Sequence, residues 1–294
     1  MVFMRKYAYL AFLFLLPLVL SCKSKQPVTL AGAGAPIHPQ EQRLIDSILQ
    51  SALDYEALYT LLGDVKPMSS VKLYRFPLAN TDSLKQTSAD IVDRDKQGVY
   101  LDRLYTIQRA VDRLDFPDLK FVMVPYKSPQ DNLRLMQLSV VRVSLLDSLL
   151  RAEESFFGQF GLVPGADPAI VVSTIENADR YERYRGYGYL FGYPDYAVDF
   201  FVKSAFESSR SNEHLPRKFF QIPVYARETG SFTYAYPADH TPTLFSDSTI
   251  YYRSEKVLKE YKKIRNTYLN TDSTLRAYQL LLDFYTQPHL TTDK

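Results

Sequence analysis

Residues 133–160, LRLMQLSVVRVSLLDSLLRAEESFFGQF, are the most apolar stretch downstream of the first 21 residues, and their reading decides the fold. Leu138, Val141, Leu145, Leu149 and Phe156 recur near the 3.6-residue period and fit a long central helix. The first third carries a second pattern. Leu133, Leu135, Val141 and Val143 alternate as a half-buried strand would, and the helical period stands alone only from Ser144 onward. Gly161, Pro164 and Gly165 then break the chain, and Pro168 opens a further helical segment toward Asn177.

Working outward, Leu44, Ile45, Ile48, Leu49, Ala52, Leu58, Tyr59 and Leu62 predict one helix from Glu41, closed by Gly63. Val71 to Phe76 is a strand bracketed by Pro67 and Pro77, which cannot donate to a ladder. A helix from about Ser88 to Leu114 turns Leu101, Leu104, Tyr105, Val111 and Leu114 inward, and Phe121 to Pro125 reads as a buried strand. Downstream, Lys218–Ala226 and Ser231–Tyr236 form an antiparallel pair around Glu228-Thr229-Gly230, where glycine accepts positive φ. Two more helical stripes follow, Val257 to Tyr268 and Leu275 to Tyr285, separated by Asn270–Asp272. No internal repeat, heptad run or linker interrupts residues 40–294, so the expectation is one α+β domain, dominated by helices, with a small, partly antiparallel sheet.

The chain begins differently. Arg5 and Lys6 precede an uncharged run, Tyr7 to Leu20, which ends in Val19-Leu20-Ser21-Cys22. About 14 residues make about 21 Å of helix, short of the ~30 Å a permanent span must cross. The segment resembles the lipobox of bacterial lipoproteins, with Val19 where leucine is usual. The resemblance implies a signal peptide over residues 1–21 and a diacylglycerol on Cys22, the only cysteine in the chain. Lys23, Ser24 and Lys25 supply neither the aspartate that retains lipoproteins in the inner membrane nor an acidic export run, which implies the periplasmic leaflet of the outer membrane. Residues 22–39, with Gly32, Gly34, Pro36 and Pro39, read as a tether between lipid and domain. No characterised family is resembled by the domain itself.

Charge narrows the partners. The 294 residues hold 35 basic and 33 acidic side chains, and removing residues 1–21 with Arg5 and Lys6 leaves the two equal, which argues against a nucleic-acid surface.

The most unusual composition lies between Arg180 and Phe201, with Arg180, Arg183, Arg185, six tyrosines from Tyr181 to Tyr196, and Gly186, Gly188 and Gly192. Tyrosines offer apolar faces with a hydroxyl, and guanidinium groups bind carboxylate or phosphate in pairs. Arg180, Arg183, Tyr184, Arg185, Tyr187 and Tyr193 are therefore the candidate recognition residues for glycan, peptide, lipid headgroup or protein. In a helix running on from Asn177, Arg180, Tyr184 and Tyr187 share a face. The competing reading packs the rings in the core while the arginines reach into solvent. The glycines are not a dinucleotide loop, because a charged run rather than a hydrophobic strand precedes them. Gly192-Tyr193-Pro194 reads as a turn before a helix that begins at Pro194 and buries Val198, Phe201 and Val202.

No catalytic motif emerges. His38, His214, His240 and His289 have no partner at metal-ligand spacing, and no cofactor motif is present. Asp239-His240 is a possible acid/base pair, although neighbours on extended chain point to opposite sides. Glu153, Glu154, Glu176 and Glu182 are candidate carboxylates whose spacing in sequence fixes no separation in space. The expected function is a lipid-anchored binding or scaffolding module of the envelope. The alternative is an envelope hydrolase acting on glycan or peptide, with His240 as base and Asp239 or another carboxylate assisting.

Overall fold

The computed structural model describes residues 36–77, 97–127 and 133–286. Residues 19–22, read as a lipobox, most of residues 22–39, read as a tether, and the segment 88–96 expected to start the second helix lie outside the described residues. The described elements are α1 (Pro39–Asp54), α2 (Leu58–Leu61), β1 (Met68–Pro77), α3 (Gln97–Asp112), β2 (Leu119–Tyr126) and β3 (Leu133–Arg142). They continue with α4 (Val143–Ala152), α5 (Glu154–Phe157), α6 (Pro168–Asn177), α7 (Arg180–Leu190), α8 (Asp195–Ser211), β4 (Arg217–Val224), β5 (Arg227–Pro237), α9 (Thr249–Arg265) and α10 (Ala277–Thr286). This is an α+β fold dominated by helices, and every described strand pair is antiparallel.

The first third of 133–160 is strand, not helix. β3 is the middle strand of the sheet β1-β3-β2, and its residues 137–142 are all buried. Burial on both faces erases the alternation that would have marked a strand. Leu138 and Val141, three apart as on a helix face, point to opposite sides of the sheet. Leu138 and Val140 join one core with Leu119, Phe121 and the buried faces of α1, α3 and α10. Val141 joins a second core with Met68, Val122, Val124 and residues of α4 to α8.

The helix expected from Glu41 to Leu62 is also interrupted. α1 starts where Pro39 supplies a preset φ and His38 Nδ1 accepts the Gln40 N–H at 3.3 Å. It ends at Asp54, whose carboxylate accepts from Tyr261 Oη at 2.7 Å and from Arg265 Nε and Nη2, both at 3.0 Å. The Asp54 carbonyl accepts the Ala226 N–H at 2.9 Å, which binds the β4–β5 turn to the end of α1. That contact accounts for a second difference: the hairpin turns at Tyr225–Ala226, with Val224 opposite Arg227. Residues 228–230, expected at the turn, instead belong with Ser231 to a bulge opposite Pro223, with Gly230 at φ +78° donating to Gln221 Oε1 at 2.9 Å.

Arg142 closes β3. Its Nε donates to Thr60 O at 3.1 Å, Nη2 to Thr60 O, Leu61 O and Tyr285 Oη at 2.8, 3.1 and 3.0 Å, and Nη1 to Asp118 at 3.3 Å. The last carbonyls of α2, which have no helical partner, are thereby satisfied by a side chain from the sheet. Replacing it with methionine, Arg142→Met, leaves the buried Thr60 carbonyl unpaired, while Leu61 O keeps the Tyr285 hydroxyl; the expected cost is about 1–3 kcal/mol, read as a fall in the urea midpoint at unchanged m-value.

Candidate functional site

A cleft of about 510 Å³ opens between α7, α8, the end of β2 and the β4–β5 hairpin. Its floor is set by the glycines of α7. A Cβ on Gly186 would lie 2.7 Å from Ile175 Cγ2 of α6, and one on Gly188 would lie 2.8 Å from Val198 Cγ2 of α8. Only glycine lets α7 approach both neighbours, and that approach leaves Arg183, Tyr184 and Tyr187 facing the opening. Gly192, at φ +71°, then turns the chain into α8, with Pro194 as N-cap and Asp195 as the first helical residue.

The walls are aromatic. Tyr187 stacks on Phe191 at 5.6 Å, Tyr184 meets Phe201 edge-on at 5.4 Å, and Tyr193 packs on Phe232 and Tyr234 of the hairpin at 6.1 and 5.5 Å. Phe219, Thr233 and Ala235 complete the hairpin side, and Ala197 and Val198 the α8 side. Phe201, expected in the core, is exposed along the cleft, and Phe200 is buried in its place.

At one end sits Glu176, 1% exposed. Its Oε1 accepts the Lys127 N–H at 2.7 Å and Arg183 Nη1 at 3.0 Å, and its Oε2 accepts from Tyr187 Oη at 2.9 Å. One carboxylate thus joins α6, α7 and the end of β2. Tyr126 Oη, close to the Tyr187 and Ser139 hydroxyls, is buried and completes no hydrogen bond. Burial pushes the Tyr126 phenol up to about 12; Tyr187 is held higher still, by burial first and then by Tyr126 and Glu176.

Of the candidate recognition residues, Arg183, Tyr184, Tyr187 and Tyr193 line the cleft. Arg180 lies outside the lining and donates to Tyr184 Oη at 3.2 Å. Arg185 is bound away from it, to Asp199 and to Tyr189 Oη. Arg180, Tyr184 and Tyr187 do not extend a helix from Asn177, because Ala178 is extended and α7 begins afresh at Arg180. The two readings of the tyrosines divide between residues: Tyr189 belongs to the second core, whereas Tyr184 and Tyr187 face the cleft. Tyr126, Lys127, Phe219 and Tyr234 carried no local signal, since they arrive from strands distant in sequence.

His240 meets a carboxylate other than its neighbour. Asp239 is exposed, while Nε2 of His240 lies 3.7 Å from Oδ2 of the fully buried Asp247. Asp247 already accepts from the hydroxyls of Tyr196 and Tyr234 and from the Thr243 N–H, and the imidazole stacks on Tyr196 at 4.2 Å. Neither residue lines the cleft. Among the described residues no group of three or more His, Cys, Asp or Glu side chains is placed to hold a metal ion, and no helix is long and apolar enough to cross a membrane. Comparisons with protein-family models, curated proteins and solved structures give no match.

Two outcomes follow from this geometry. Glu176→Gln turns an amide N–H toward donors and strips Arg183 of its counter-charge, and is expected to cost about 2–3 kcal/mol in urea unfolding, with the Glu176→Leu/Arg183→Leu double variant losing less than the sum of its singles. The raised tyrosines give an alkaline limit. Their folded pKa exceeds the unfolded value near 10, so above about pH 10 the unfolded state alone sheds protons and favours unfolding. Stability is then complete below about pH 10 and falls toward pH 12 by up to about 1.4 kcal/mol per pH unit for each such tyrosine; urea midpoints independent of pH across that window would contradict the burial described here.

Proposed function

We propose that this chain is a lipid-anchored envelope protein whose folded part is a binding module, taking a small ligand with an apolar body into the aromatic cleft. The observation that carries the reading is the cleft itself: concave, walled by aromatic rings, with its charged groups gathered at one end around Glu176 and Arg183. Its volume of about 510 Å³ falls in the range of small-molecule sites, whose interiors are mostly apolar with a few placed polar groups. The hydrolase alternative has less support, because His240 is packed on Tyr196 outside the cleft and the carboxylate beside it is committed to three other donors.

The anchor follows from the resemblance of Val19-Leu20-Ser21-Cys22 to a lipobox, and thioether-linked acyl chains hold a protein to a bilayer without a spanning helix. Two measurements test the two halves separately. Cys22→Ser is expected to move the protein from the membrane to the soluble fraction and to remove acyl mass; co-sedimentation equal to the parent overturns the anchor. The neutral fluorophore N-phenyl-1-naphthylamine is expected to bind the full chain and to lose about tenfold in affinity when Ala235→Phe fills the cleft or Phe201→Ser removes a wall, with circular dichroism unchanged. Unaltered affinity in both variants overturns the cleft as the binding site.

A further inference from the structure

We infer that the ligand of this cleft is an aromatic monocarboxylate, its ring system between the tyrosine and phenylalanine walls and its carboxylate at Arg183 and Lys127. The inference rests on the cleft being the binding site and adds the charge and shape of what it takes.

The charged groups at the cleft are Lys127, Arg183 and Glu176, two cations and one anion. Glu176 is unavailable to a ligand: it is 1% exposed, and its two oxygens already accept three hydrogen bonds. Its burial closes the remaining lone pair to a ligand ammonium. The cations are differently placed. Arg183 gives Nη1 to Glu176 but keeps a side-chain exposure of 27%, and a guanidinium has five N–H donors. Lys127 Nζ makes one long contact, 3.4 Å to the Ala178 carbonyl, on an exposed side chain. One excess positive charge therefore remains at the polar end, divided between a planar fork and a mobile ammonium. A monoanion with two coplanar oxygens matches the fork and leaves the site neutral. A phosphate dianion would leave an uncompensated negative charge beside Glu176.

The body of the ligand follows from the walls. Tyr187 and Phe191 lie nearly parallel, at 22°, whereas Tyr184 and Phe201 meet edge to face at 71°. Such surfaces alternate ring faces and edges, and aromatic partners gain from both offset-stacked and edge-to-face contact where a flexible acyl chain gains only area.

The test uses the full-length chain in bilayer discs, with titrations of protein-free discs subtracted. The probes are 1-naphthylacetate, the neutral 2-(1-naphthyl)ethanol, the cationic 2-(1-naphthyl)ethylamine and the aliphatic anion decanoate. Naphthylacetate is expected to bind about tenfold tighter than the alcohol and more tightly still than the amine, with the advantage shrinking as salt screens the site. In Lys127→Gln and Arg183→Gln that advantage is expected to fall below about threefold. The alcohol or amine binding as tightly as the acid, or an acid preference surviving in both variants, overturns the assignment of charge while leaving the cleft as a site. Decanoate binding as well as naphthylacetate overturns the aromatic body. If no naphthyl probe binds and N-phenyl-1-naphthylamine also fails, the cleft itself is not a binding site.

Discussion

The fold depends on β3 being buried on both faces. A strand in that position must send alternate residues into two separate cores, and it does: Leu138 and Val140 to one side, Val141 to the other. A slip of one residue would exchange those apolar side chains with Gln137 and Ser139, so the register against β1 and β2 is fixed by packing along both faces. The two polar residues tolerated there are informative. Gln137 satisfies its amide on the carbonyls of Lys72 and Leu138, while Ser139 completes no hydrogen bond and lies beside the equally unsatisfied Tyr126. Polar atoms buried without partners cost free energy, and these two lie behind the Glu176 end of the cleft.

The two cores meet at the cleft. Tyr193 packs against both, and its ring lies over Phe232 of the hairpin. Beneath that contact Lys66 is wholly buried, its ammonium 2.9 Å from Glu56 and 4.2 Å from the centre of the Phe232 ring. Burial lowers the pKa of Lys66, and Glu56 opposes that shift. An ion pair in such a place adds little net stability compared with apolar side chains, but its geometry is demanding, and it holds Phe232 and Phe191 in one arrangement. The aromatic walls of the cleft are thus fixed from behind before anything binds.

How much of this the sequence disclosed depends on the distance over which each constraint acts. α1, α4, α6, α8 and the last two long helices were legible because one-sided burial imprints a 3.6-residue period. β3 was ambiguous because two-sided burial removes the period of two. The hairpin was seen, but its turn was placed at Gly230, the one residue there whose positive φ is visible from its identity. The true turn is bonded from Ala226 to Asp54, more than 170 residues away in sequence and without local trace. The same holds for the site: the density of tyrosine and arginine between 180 and 196 marked one wall, and Arg183, Tyr184, Tyr187 and Tyr193 were named from it. Glu176 was visible only as one carboxylate among several, and the Lys127 N–H that anchors it could not be inferred, because any non-proline residue offers the same donor.

The hairpin is a second structural unit that the cleft needs, and three contacts keep it from being a loose flap. Tyr59 Oη donates to Pro223 O, the Ala226 N–H donates to Asp54 O, and Phe232 is buried in the first core. Each contact reaches the same short region, residues 54–66, between α1 and β1. That region is in turn held by Arg142 at the end of β3. A line of direct contacts therefore runs from the doubly buried strand, through the carbonyls of α2, to the far wall of the cleft. Walls held in this way need little ordering when a ligand enters, which removes one of the costs of binding. Rigidity would also make the proposed binding selective in shape: a body that does not fit between Tyr187 and the hairpin would have to disturb the packing of both cores at once, a far larger cost than rotating a side chain at an open surface.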